Sequence, residues 1–154
     1  MKSRGFTIIE LLTVIAVLGL LTSNAIPKYQ QFRKRADGAE ILAAMTAVRV
    51  GAFQYNEGAG RWPPSARRGV VPRGLAPLLP GGGANLFNGR YHRLQWTTTR
   101  VGGRRTPVIQ VVSASLTDPI VCRNLYGLWG GAGNRDLVGT CGRRGGTVTL
   151  YVDR

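Results

Sequence analysis

Phe6-Thr7-Ile8-Ile9-Glu10-Leu11-Leu12-Thr13-Val14-Ile15-Ala16-Val17-Leu18-Gly19-Leu20-Leu21 decides the fold, because a single carboxylate interrupts an otherwise apolar run. Apart from Glu10, residues 6–26 are long and apolar enough to cross a bilayer, which takes about 20 residues. A carboxylate inside such a helix costs on the order of 2.5–3.5 kcal/mol on insertion scales. A lone intramembrane acid therefore needs a partner, and the natural one is a positive charge on another copy of the same segment.

Immediately upstream lies Lys2-Ser3-Arg4-Gly5. A short basic leader ending in glycine, then Phe-Thr-x-x-Glu opening an apolar helix, resembles the class III leader of type IV pilins and type II secretion pseudopilins. The resemblance implies that a prepilin peptidase cuts between Gly5 and Phe6 and that the new amine of Phe6 is methylated. Glu10 is then the acid that neutralises the amine of an adjoining subunit during assembly. Two buried charges offset one another only when subunits pack in register, so the pair would set registry more than add stability.

An ordinary secretory signal also has a basic start and an apolar stretch, and Ser23-Asn24-Ala25 loosely fits its cut site. Against it, Glu10 breaks the apolar region and the glycine precedes that region. Orientation carries a conflict. The family places the leader in the cytoplasm and the outer domain in the periplasm, yet Lys28, Arg33, Lys34 and Arg35 flank the far end of the helix. A count of flanking charges favours the reverse topology. The leader motif outweighs the count, because the peptidase must reach the leader.

The chain has 154 residues, with 21 basic and 7 acidic side chains and a net charge of +14. Losing Lys2 and Arg4 with the leader would leave about +12, enough to favour acidic surfaces such as nucleic acid or anionic lipid. An arginine-rich coding composition would give the same excess. The residues beyond the apolar helix suffice for one compact domain. Cys122 and Cys141 are the two cysteines. In the oxidising compartment that the resemblance implies, they read as a disulfide closing a loop of about 20 residues, worth about 3 kcal/mol on the chain-entropy view. A bridge there also resembles the C-terminal disulfide loop of many type IV pilins, which major pseudopilins more often lack.

Pro27, about six turns into the mature helix, is expected to bend it, and a proline there is also typical of type IV pilins. Ile41, Met45, Val48, Ala52 and Tyr55 then follow spacings of one helix face, the stripe on which a globular domain packs. Gly38 and Gly51 are expected to weaken that helix. Asn56-Glu57-Gly58-Ala59-Gly60 stops it. Trp62-Pro63-Pro64 and Pro80-Gly81-Gly82-Gly83 mark a long connection. Asn56 to Trp62-Pro63, followed by Gly74-Leu75-Ala76-Pro77-Leu78, is similar to a short stretch of major pseudopilins. Residues 91–97, 108–112 and 147–152 read as strands, with Arg104-Arg105-Thr106-Pro107 and Asn134-Arg135-Asp136 as loops.

No catalytic constellation emerges, so the chain is not expected to be an enzyme or to need a cofactor. His92 is the sole histidine and is expected on the solvated face of its strand. Gly130-Gly131-Ala132-Gly133 lacks the Lys-Ser/Thr of a phosphate loop. Asp118, Asp136 and Asp153 are scattered and do not form the calcium set of major pseudopilins, and no metal is expected. Arg104, Arg105, Arg143 and Arg144 are candidates for DNA or anion contact, since Gly142-Arg143-Arg144-Gly145 resembles the Gly-Arg-rich loop of some DNA-uptake minor pilins. Trp96 or Trp129 would be the stacking ring.

The expected architecture is α+β, with a long N-terminal helix packed on a small antiparallel sheet, the pilin-like ladle that the resemblance implies. Residues 1–5 are the leader, 6–27 the transmembrane half of the helix and 28–55 its amphipathic half. Residues 56–90 form the connecting loop, and 91–154 the sheet with the disulfide loop. The expected function is a structural subunit, a minor pilin, of a type IV pilus-like filament. Its partners would be prepilin peptidase, other pilin or pseudopilin subunits and the inner-membrane assembly platform. The alternatives are a type II secretion pseudopilin and a membrane-tethered DNA-binding protein of a DNA-uptake system.

Overall fold

A computed structural model describes residues 7–129, 136–140 and 146–153. Contacts divide the chain into two units, Met1–Arg33 and Lys34–Arg154. Helix α1 spans Ile8–Ala59 and contains Pro27. In the first unit its polar side chains turn back onto their own helix. Thr13, Thr22 and Ser23 donate to the carbonyls of Glu10, Leu18 and Leu20 at 2.9, 2.7 and 2.8 Å. This self-satisfaction is what apolar surroundings require of a hydroxyl.

The second unit is an α+β assembly in which the end of α1 packs on a four-stranded antiparallel sheet. Ile41, Met45, Val48 and Ala52 are fully buried, as their spacing implies. Gly38 and Gly51 are not the weak points expected of them. A Cβ on Gly38 would lie 3.2 Å from the Val121 carbonyl oxygen, and one on Gly51 would lie 2.7 Å from Leu79 Cδ2. Both glycines let neighbouring chain approach the helix closely. After Ala59 the connection winds through short turns and a one-turn helix α2, Ala84–Phe87, which seats Phe87 in the core. Trp62 is half-buried and meets Phe53 edge-on at 5.3 Å.

The strands are β1 (His92–Val101), β2 (Arg104–Ser113), β3 (Leu137–Thr140) and β4 (Gly146–Tyr151), in the order β1-β2-β4-β3. Arg104-Arg105-Thr106-Pro107 is the start of β2 and not a loop. The reversal falls instead on Gly102-Gly103, whose φ values of 57° and 84° are open to glycine and match a two-residue hairpin turn. Register lays rows of side chains across the sheet. Trp96, Ile109 and Leu150 form one row, Leu94, Val111 and Val148 the next, and His92, Ser113 and Gly146 the last.

Between β2 and β3 lies α3 (Pro119–Leu128), which the strand-based reading lacked. Its start follows the usual chemistry. Asp118 is the N-cap, accepting the Ile120 N–H at 2.8 Å, and Pro119 occupies the first turn, where a missing N–H costs nothing. Val121, Cys122 and Leu125 face the core. Asp118 also accepts from Lys34 Nζ at 2.7 Å, tying the start of α3 to α1. That hydrogen bond holds the Asp118 carboxyl below the ordinary aspartate range; partial burial opposes it and the Ile120 N–H assists.

Candidate functional site

Thr7 and Glu10 build the first turn of α1 reciprocally. Glu10 N–H donates to Thr7 Oγ1 at 3.4 Å, while Thr7 N–H and Thr7 Oγ1 donate to Glu10 Oε2 at 2.9 and 2.7 Å. This is a capping box, Thr-x-x-Glu before an apolar run, and it was there to be read in Thr7-Ile8-Ile9-Glu10. The same carboxylate thus starts the helix and is the one acid of the apolar run. Apart from Thr7 and Thr13, the surface around it on this part of the helix is apolar. Ile8, Leu11, Ile15, Leu18 and Leu21 are each more than half exposed, and none of the apolar window of the helix is buried within the chain. A helix that is apolar all round belongs in a membrane or inside a bundle.

The profile of the prokaryotic N-terminal methylation motif matches residues 1–23, which include Gly5, Phe6 and Glu10. The N-terminal segment of the chain is similar to that of type IV pilins. It is similar to a type IV major pilin protein PilE1 of Neisseria gonorrhoeae, 37% identical over 60 residues, or 39% of this chain and 36% of that one. A fimbrial protein of Neisseria meningitidis serogroup B is 37% identical over 60 residues, 35% of its length. The fimbrial protein EcpC of Eikenella corrodens is 35% identical over 60 residues, 39% of each chain. The chain thus aligns with little more than a third of the length of these pilins. No solved structure matches it.

Other expected site residues fall as follows. Gly5 and Phe6 lie outside the described residues, as do Cys141, Arg143 and Arg144. Cys122 sits on α3 at 7% exposure, its N–H bonded to the Asp118 carbonyl. Arg104 and Arg105 are exposed at the hairpin end of β2. Trp96 cannot stack on a base: it is fully buried and its Nε1–H donates to the Pro63 carbonyl at 2.9 Å. The ring falls inside because it alternates in step with Leu94 on the core face of β1. Trp129 is half-buried, with the Arg49 guanidinium 5.6 Å from its ring.

His92 is buried and not solvated. It shares the core-facing side of β1 with Leu94 and Trp96, at 3% exposure. Its Nε2 lies 3.1 Å from the Leu86 carbonyl, and its Nδ1 faces Glu40 Oε1 at 3.8 Å.

Proposed function

We propose that the chain is a structural subunit, a minor pilin, of a type IV pilus-like filament. It is made as a prepilin and cut between Gly5 and Phe6 by prepilin peptidase. Phe6 is N-methylated, and α1 anchors the subunit in the inner membrane with the remainder in the periplasm. The assembly platform then draws the helix into a bundle with other subunits. The observation that carries this reading is an apolar half-helix with no cover of its own and a carboxylate one turn from its start. Glu10 Oε2 is engaged by Thr7, and Oε1 has no partner among the described residues, which leaves an oxygen for a sister chain's amine.

Charge supports a minor place in the filament. Copies that each keep about +12 after cleavage repel one another when stacked, and dilution among other subunits relieves this. The pilin and fimbrial relatives, and a cysteine pair available for a bridge between Cys122 and Cys141, favour a pilus over a type II secretion pseudopilus. A tethered DNA-binding protein is the weaker reading. Among the described residues it rests on Arg104 and Arg105, with Trp96 buried.

Glu10→Ala tests the proposal. The variant is expected to be processed normally yet to be depleted about tenfold or more from sheared filaments, the loss of about 1.4 kcal/mol or more of assembly energy. Wild-type incorporation of Glu10→Ala would refute the pairing.

A further inference from the structure

From Gly58 to Thr117 the chain has no acidic residue, and its basic residues there are nine arginines. The fold places two of them, Arg90 and Arg93, in the wall of a cavity of about 320 Å³, lined by residues 88–93 together with Val112 and Ser113. The cavity is a built feature. Asn88 and Arg93 form a β-bridge, so residues 89–92 make a tight loop between them. Gly89 lies flat against His92, since a Cβ there would overlap the imidazole ring. His92, held by the Leu86 carbonyl, is therefore the floor that shapes the loop.

Arg90 and Arg93 are exposed and line the cavity, with the Arg90 guanidinium 5.4 Å from the Tyr91 ring centre. A second loop runs beside β1. Ala66 and Gly69 donate backbone N–H groups to the carbonyls of Trp96 and Leu94 at 3.0 and 2.8 Å, which fastens Arg67 and Arg68 along the outer edge of β1. A Cβ on Gly69 would stand 3.9 Å from Arg93 Cδ and from Asn88, so this loop passes close to residues of the cavity wall. The lining contains no carboxylate.

We propose that this cavity binds a phosphorylated sugar, its phosphate held by Arg90 and Arg93 and its hydroxyls by Asn88 and the backbone of the loop. A phosphomonoester carries nearly two charges at neutral pH, and its oxygens match the fork of a guanidinium. The cavity stands at the lower end of ligand-site volumes, about 300–1,000 Å³, and is larger than one phosphate fills. The remaining space suits one sugar ring.

The test is calorimetric titration of the full chain in non-ionic micelles with glucose 1-phosphate, inorganic phosphate, glucose and a short oligodeoxynucleotide. Glucose 1-phosphate should bind about tenfold tighter than inorganic phosphate, and glucose should not bind measurably. Arg93→Gln and Arg90→Gln should each weaken it about tenfold, and Arg123→Gln, an equal loss of charge on α3, by less than about twofold. The two loop variants provide independent readouts should either one destabilise the fold. The proposal is overturned if glucose 1-phosphate does not bind, if inorganic phosphate or the oligonucleotide binds as tightly, or if all three variants weaken binding alike.

Discussion

Asp118 carries two contacts that substitutions can separate. It caps α3 through the Ile120 N–H and pairs with Lys34, whose side chain is 40% exposed. Solvent screening limits such a pair to about 0.2–1 kcal/mol, whereas losing an N-cap costs about 1 kcal/mol. Asp118→Asn keeps a good cap and loses the pair, so it should cost less than about 1 kcal/mol. Asp118→Ala loses both and should cost about 1–2 kcal/mol. The carboxyl is held low in the folded chain, so its contribution is present above the unfolded aspartate value and disappears as pH falls through the folded one. Thermal melts between about pH 7 and 3 should show a shallower acid limb for Asp118→Asn. Identical acid limbs in variant and wild type would remove the ion pair from the account.

At the scale of elements, glycines in one helix have opposite meanings. Gly58 has open space around its Cβ position, so Gly58→Ala should gain the helix propensity of alanine, about 0.5–1 kcal/mol. Gly51 lies against Leu79, and its added methyl would also stand 3.2 Å from the Leu78 carbonyl oxygen. Gly51→Ala should therefore destabilise by about 1–3 kcal/mol. Urea melts of the two variants should move in opposite directions, and a stabilising Gly51→Ala would contradict the close packing. Propensity alone treats both sites as weak points, because the close approach at Gly51 comes from chain more than twenty residues away. The same limit hid His92: period two places it in step with Leu94 and Trp96, but a titratable side chain at a strand's start invites a solvated reading. Two signals were local and readable. Asp118-Pro119 before Val121, Cys122 and Leu125 announces α3, and Gly102-Gly103 announces the hairpin turn.

For the whole molecule, the amphipathic stripe from Ile41 to Ala52 and the three strand runs were legible because their periods persist over many residues. So was the apolar start of α1, where one acid stands out against fifteen uncharged neighbours. What the start does in a filament depends on other copies of the helix, so a single chain displays only its unmet needs: bare apolar surface and, among the described residues, a carboxylate oxygen without a partner. The account stands or falls on whether Glu10 survives maturation at the head of a new amino terminus. Mass spectrometry of the chain recovered from cells that contain prepilin peptidase measures this directly. The account predicts a polypeptide beginning at Phe6 with a methylated amine; one beginning after Ala25, with Glu10 discarded, would contradict it.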